Sequence, residues 1–240
     1  MRLYLYAIVD RLTEVSGLSG VAGEPVVLVS APDMGVAGGW MSQPPAIDRD
    51  TLGAQDRIVR ELHARAAALL PLRFGTSVAD ESELAQKLES LGPELGQRLD
   101  LVRAREQMTL RVLKTESTEG DRARTGDPRQ AEQLEFAGPV RGAGTEYLLR
   151  RAATTPPELA ALTDALRPYQ RATRIERGRV ENVIATIYHL IERGSGDVYR
   201  AAVSETVSQF PAFSVRVTGP SPAYAFASLT SASRAAPDQD

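Results

Sequence analysis

The sequence predicts an α+β protein made of two small domains of ferredoxin-like character, each a mainly antiparallel sheet with helices on one face. Three observations carry that expectation. Segments that alternate apolar and polar residues are interspersed, in both halves, with segments whose apolar residues recur every three to four positions. The strand-like segments are short and are separated by Gly and Pro. Between the halves, residues 114–143 are polar and charged and lose all periodicity. The expected layout is a first domain over 1–115, a polar linker over 116–143, a second domain over 144–227 and a flexible tail over 228–240.

The first strand is Leu3–Val9, where Leu3, Leu5, Ala7 and Val9 alternate with Tyr4, Tyr6 and Ile8, so both faces are apolar and both are expected to be covered. Glycines 17, 20 and 23 break the next segment, and Pro25 precedes a second strand, Val26–Ser30. Residues 31–47 are rich in Gly and Pro, hold Trp40, and read as a loop or an irregular edge strand. A helix begins near Asp48–Asp50 with an Asp as N-cap and runs to about Ala67 on the stripe Leu52, Ile58, Val59, Leu62, Ala66 and Leu69. Strand three is Leu70–Phe74, turned out by Gly75. Asp80–Val102 is helical, with Leu84, Leu88, Leu91, Leu95 and Leu99 on one face, and Gly92-Pro93 is expected to divide it. Strand four, Gln107–Leu113, closes the first domain.

In the second half, Glu146–Ala153 is a short helical piece, and Thr155-Pro156-Pro157-Glu158 fits a capping box for a helix carrying Leu159, Leu162 and Leu166. Val183–Ile191 is a strongly apolar strand. Ser195 stands where it can cap a helix with Tyr199, Val203, Val207 and Phe210 on one face, and Phe213–Val217 is the last strand.

Composition narrows the function classes. With 42% hydrophobic and 25% charged residues the chain of 240 can bury a sizeable core. A net charge of −3 gives no reason to expect a nucleic-acid or anionic-membrane partner. The lack of cysteine removes disulfides, thiolate metal sites and Cys nucleophiles. The start of the chain reads as a strand, not a signal peptide, and no run approaches the roughly 20 apolar residues that span a bilayer, so a soluble cytoplasmic protein is expected.

No constellation for chemistry emerges. His63 and His189 are far apart in sequence, and neither has a second ligand at metal-binding spacing; structural roles suit them. Gly142-Ala-Gly144 and Gly194-Ser-Gly196-Asp197 are turns before helices, not completed phosphate loops, and there is no Gly-x-Ser-x-Gly elbow. Asp48, Asp50, Asp80 and Glu81 fall at helix starts, where capping explains them. Arg167, Arg171, Arg174, Arg177 and Arg179 form a basic run best read as a solvated face. Neither a cofactor nor a metal is implied.

Two peptides stand apart. Leu70–Thr76 reads Leu-Pro-Leu-Arg-Phe-Gly-Thr, and Val217–Phe226 reads Val-Thr-Gly-Pro-Ser-Pro-Ala-Tyr-Ala-Phe. Each sets apolar side chains on backbone fixed by Pro or Gly, and the first adds one cation, Arg73. That suits a shaped surface or a tight strand end. Two readings of Arg73 stand side by side: a carboxylate partner inside the fold, or contact with another protein.

With Tyr4–Val9 and the Gly-Thr-Glu-Tyr-Leu-Leu at Gly144–Leu149, these peptides make the chain resemble the GvpL/GvpF family of gas vesicle accessory proteins over most of its length. Each motif alone is weak; four in this order are specific. The chain departs from the family's closing motif, where Trp usually follows Gly-Pro and Pro precedes Tyr: here Ser221 and Ala223 stand, which removes one large apolar anchor. The resemblance implies two α+β domains and a non-enzymatic role at the gas vesicle, binding the small hydrophobic major shell protein, and other accessory proteins with it, to assist nucleation or assembly. Leu72, Arg73, Phe74, Gly75 and Thr76 are then the expected partner-binding residues, and Pro71, Gly219, Pro220, Pro222, Tyr224 and Phe226 are motif residues with a structural or interface role. Two other classes compete: a regulatory module binding a small ligand between paired ferredoxin-like domains, and an enzyme using Arg73 with nearby carboxylates on an anionic substrate.

Overall fold

The computed structural model describes residues 1–115, 157–178, 182–210 and 213–227. The linker expected over 116–143, the helical piece at Glu146–Ala153, the motif at Gly144–Leu149, Thr155 and Pro156 of the capping box, Arg179 and the tail over 228–240 lie outside the described residues.

The first sheet is built round β1 (Arg2–Val9) and runs in the order β2 (Val27–Ser30), β3 (Gly35–Met41), β1, β4 (Leu69–Pro71), with β5 (Ser77–Val78) also on β1. All of its pairings are antiparallel. β1 is buried on both faces, but its alternation changes phase. Leu3, Leu5 and Ile8 enter one core, while Tyr4, Tyr6, Ala7 and Val9 enter the other. The pairing with β3 slips between Leu5 and Ala7, and such a bulge moves every later side chain to the opposite face.

The Gly-rich stretch expected as a loop or edge is instead β3, an interior strand between β2 and β1 that includes Trp40. Glycine hides the strand because it leaves no side chain to alternate. It is also required there: a Cβ at Gly38 would lie 2.6 Å from the Tyr4 carbonyl oxygen.

α1 (Arg49–Arg65) starts at Asp48, whose carboxylate accepts from the Thr51 N–H at 2.8 Å, with Thr51 reaching back in a capping box. α2 (Glu81–Val102) is capped by Asp80 and runs unbroken through Pro93. The expected break at Gly92-Pro93 does not occur. Leu84, Leu95 and Leu99 on that one face are each at most 3% exposed. Burying several leucines at about 1.5–3 kcal/mol each outweighs the roughly 3 kcal/mol an interior proline costs.

The second sheet is formed by β6 (Arg105–Lys114), β7 (Ala172–Arg177), β8 (Val183–Glu192) and β9 (Phe213–Ser221), in the antiparallel order β7-β8-β6-β9. With α3 (Pro157–Ala165) after β6 and α4 (Gly196–Val207) after β8, the order among the described residues is βαββαβ, the ferredoxin-like arrangement. The strand expected to close the first domain is therefore an interior strand of the second sheet. In a split βαβ unit the first strand lies between the third and the fourth, so a strand's sheet is set by its partners, β8 and β9, and not by which side of a polar stretch it occupies. The basic run also contains a strand, β7, and three of its arginines are paired: Arg167 with Asp164 at 2.5 Å, Arg174 with Glu176 at 3.0 Å, and Arg171 with Glu192. Ser195 precedes α4, but its hydroxyl donates to the Glu192 carbonyl instead of capping the helix.

Among the described residues the buried apolar side chains form three cores. One lies under α1. One fills the space round α2 and draws on both sheets, from Leu3 and Leu70 to Leu190, Ala223 and Phe226. The third packs α3 and α4 on the far face of the second sheet, through Leu162, Leu166 and Tyr199 against Leu110 and Ile187. Among the described residues no helix is long and apolar enough to cross a membrane.

Candidate functional site

The Leu70–Phe74 strand of the sequence reading ends early, and the manner of its ending makes the site. β4 pairs with β1 through Pro71, and the Leu72 N–H still donates to the Tyr6 carbonyl. Pairing resumes where the Leu5 N–H donates to the Thr76 carbonyl, and β5 follows. Arg73, Phe74 and Gly75 are thus thrown out of the sheet as a short loop. A turn closes it, with the Thr76 N–H and hydroxyl both donating to the Arg73 carbonyl, at 3.1 and 2.7 Å. Gly75 sits at φ +84, in the left-handed region that costs a residue with a Cβ about 1–2 kcal/mol.

A buried polar relay holds the loop. The Gly75 N–H donates to the Tyr4 hydroxyl at 2.9 Å, the Tyr4 hydroxyl donates to Gln55 Oε1 at 2.5 Å, and Gln55 Nε2 donates to the Leu72 carbonyl at 3.2 Å. Tyr4 is 2% and Gln55 6% exposed, and burial raises the Tyr4 phenol above its ordinary value, so it stays neutral. Phe74 meets the Tyr4 ring edge-on, with centroids 6.1 Å apart. Tyr4→Phe removes the hydroxyl that both the Gly75 donor and the Gln55 acceptor use. It should cost about 1–3 kcal/mol and speed hydrogen exchange at the Gly75 amide. Unchanged exchange there would show that the relay does not hold the loop.

The closing peptide arrives at the same place. After β9, Pro222 and Ala223 are buried, and a 3-10 turn at Tyr224–Phe226 is fastened by the Gln107 side chain accepting from the Ala225 N–H (2.8 Å), by Arg174 on the Ala225 carbonyl (2.6 Å) and by Arg98 on the Phe226 carbonyl (3.2 Å). Phe226 enters the central core. Tyr224 turns toward α1, where its hydroxyl donates to Asp56 Oδ1 at 2.9 Å. Burial, then that bond to a carboxylate, raises the phenol well above its ordinary value.

Between the loop, α1 and Tyr224 lies an open groove of about 730 Å³. Pro71, Leu72, Phe74 and Leu52 supply apolar wall, Leu52 being 46% exposed. Asp56 is occupied: one oxygen accepts from Tyr224 and the other from Arg60 at 2.7 Å. Arg73 is exposed at the rim, and among the described residues its guanidinium has no ion pair or hydrogen bond. Of the two readings of Arg73, the carboxylate partner inside the fold is absent among the described residues. An apolar trough beside an unengaged planar cation suits recognition of another surface.

Of the residues singled out from sequence, Pro71, Leu72, Arg73, Phe74, Thr76 and Tyr224 line this groove and Gly75 shapes it. Gly219 and Pro220 do not: they sit at the register shift of β9 on β6, where the Gly219 carbonyl accepts from Arg200. Pro222 and Phe226 are buried supports. Sequence reasoning missed Tyr4, Gln55 and Asp56. For Gln55 a signal existed, because it stands between Leu52 and Ile58 on the apolar face of α1. Among the described residues no three His, Asp or Glu side chains gather as a metal site.

No curated protein matches the chain. A family model described as gas vesicle synthesis protein GvpL/GvpF matches residues 2–228. Among solved structures the chain is similar to the gas vesicle protein GvpF from Anabaena sp., with 21% identity and a TM-score of 0.71 over 95% of this chain and 97% of that one. It is likewise similar to GvpF from Microcystis aeruginosa, at 17% identity and a TM-score of 0.70 over 95% and 99%. At these identities the structures attest the fold, two antiparallel sheets with helices, and the family match stands on its own.

Proposed function

The chain belongs to the GvpL/GvpF family of gas vesicle synthesis proteins, and from that premise we propose that it acts by binding, without turnover, as an accessory protein that engages the hydrophobic shell protein during gas vesicle assembly. The engaged surface in this proposal is the groove between the Arg73–Thr76 loop and Tyr224. One observation supports it above the rest. Two of the four motifs that carry the family resemblance lie about 150 positions apart in sequence yet meet at one groove, through Pro71–Phe74 and Thr76 of the first and Tyr224 of the second, and the cation at its rim has no partner among the described residues. A shell subunit kept soluble before assembly must have its apolar surface covered, and a trough with apolar walls and polar edges covers it.

Arg73→Ala should weaken capture of the shell protein by roughly 1–3 kcal/mol, with the melting temperature unchanged because the guanidinium makes no bond within the described fold. Co-purification with the shell protein and thermal melting, both on this variant, separate a contact from a structural role. Full capture by the variant would remove Arg73 from the interface. A wild-type chain with no affinity for any shell subunit would refute the assignment.

A further inference from the structure

We infer that a second groove, on the other side of the first sheet from α1, is a docking site for a basic amphipathic helix of a partner protein. Its floor is one face of α2, where Leu84, Ala85, Leu88, Gly92 and Gly96 recur at helical spacing. Its wall is the β2–β3 connection, with Val29, Ala31, Pro32 and Met34. The space enclosed is about 730 Å³. From Glu81 to Gly96 the floor runs about 22 Å at 1.5 Å per residue, the length of about four helical turns. A long apolar trough on a helix is a form that takes another helix by its apolar face.

Two features say that an occupant is expected. Gly92 and Gly96 lie inside a helix, where each costs about 1 kcal/mol relative to alanine, and a Cβ at either would meet nothing within 4 Å. No packing among the described residues requires them. With Pro93 between them, they keep the floor low, as close approach by a second backbone demands. The rim supplies the charge. Asp33, Glu81 and Glu89 are exposed, and among the described residues none of their carboxylates has an ion pair or hydrogen bond. Among the described lining residues there is no Lys or Arg, although Arg11 donates to the carbonyl of the wall residue Pro32 at 3.4 Å. An apolar trough edged by three unpaired carboxylates selects a helix with apolar residues on one face and Lys or Arg at its flanks.

The probe is an 18-residue peptide of Leu and Lys at amphipathic helical spacing, fluorescein-labelled, with a Leu/Glu peptide of the same pattern beside it. In titrations followed by anisotropy, the Leu/Lys peptide should bind the full chain, more weakly as salt is raised, and the Leu/Glu peptide should not. Ala85→Trp, at an exposed floor position, should weaken binding at least about tenfold with the melting temperature kept. The double variant Asp33→Lys/Glu89→Lys should weaken it likewise. The remote pair Asp164→Lys/Glu205→Lys, with the same change in net charge, should not. Equal loss in the remote pair would reduce the effect to bulk charge and overturn the proposal. So would unchanged binding in both groove variants. A wild-type dimer in sedimentation that Ala85→Trp dissociates would overturn it in favour of a second copy of the chain. None of these readouts involves Arg73 or the shell protein.

Discussion

Leu95→Ala should lower the stability of the whole molecule by about 2–5 kcal/mol, in a single unfolding transition. Leu95 is 1% exposed on α2 and belongs to the core that takes Leu3, Leu5 and Leu70 from the first sheet and Leu190 with Ala223 and Phe226 from the second half of the chain. Truncation removes buried apolar surface, and it leaves a cavity that neighbours on both sheets would have to move to fill. α2 therefore works as a shared wall. Direct bonds add to it: Arg193 donates to the Ala66 carbonyl at 3.0 Å, and the Ala104 N–H donates to the Ala67 carbonyl at 2.7 Å. Urea unfolding followed by far-UV dichroism and by Trp40 fluorescence checks the expectation, because Trp40 stands on β3, packed against the central core, while dichroism samples both sheets. Coincident curves that shift together in Leu95→Ala support one cooperative unit. Two transitions, of which the mutation moves only one, would mean that the halves fold separately and that the central core is a docking contact.

How far the sequence showed this architecture depends on what kind of signal each element leaves. Helix starts were plain, because Asp48 and Asp80 are short acceptors placed before periodic apolar stripes, and both cap as expected. The two marked peptides were also plain, since Pro and Gly beside apolar residues is an uncommon local combination. β3 was not, because its glycines carry no alternation. The change of phase in β1 was not, because a bulge is set by the partner strand and leaves the apolar composition unaltered. The sheet to which β6 belongs is a long-range fact with no local trace. Pro93 misled for a related reason: its penalty is local, while the burial that overrides it comes from two sheets that only the folded chain brings near. The groove itself follows the same rule. Its loop could be read, but Tyr4, Gln55 and Tyr224, which fix the loop and face it, meet across 51 to 168 positions of sequence.

His189 should make the protein lose about 2 kcal/mol of stability between pH 7.5 and pH 5, a window that lies above the midpoints of ordinary carboxylates. The ring lies in β8 at 0% exposure, edge-on to Tyr199 of α4, with Nδ1 2.6 Å from the Tyr199 hydroxyl. Its Nε2 is buried, and among the described residues it has no hydrogen-bond partner. An imidazolium would place two donors where one acceptor waits, in surroundings that disfavour charge, and burial depresses the pKa from 6.5 to about 4. The sign follows from proton binding. Between pH 6.5 and 4 the unfolded chain holds a proton on this group that the folded chain does not, so stability is full above 6.5, falls as the solution is acidified, and levels near 4. His63 adds in the same direction, since burial and the neighbouring Arg193 also lower its pKa. His189→Gln isolates the larger contribution, because a neutral amide can accept from Tyr199 and does not titrate. Urea denaturation at pH 7.5, 6.5, 5.5 and 5 should show a steep decline in the wild type and a much shallower one in the variant, with the residual slope belonging to His63. Equal slopes would mean that His189 is protonated in the folded protein at no cost, and that its buried Nε2 has found an acceptor in solution.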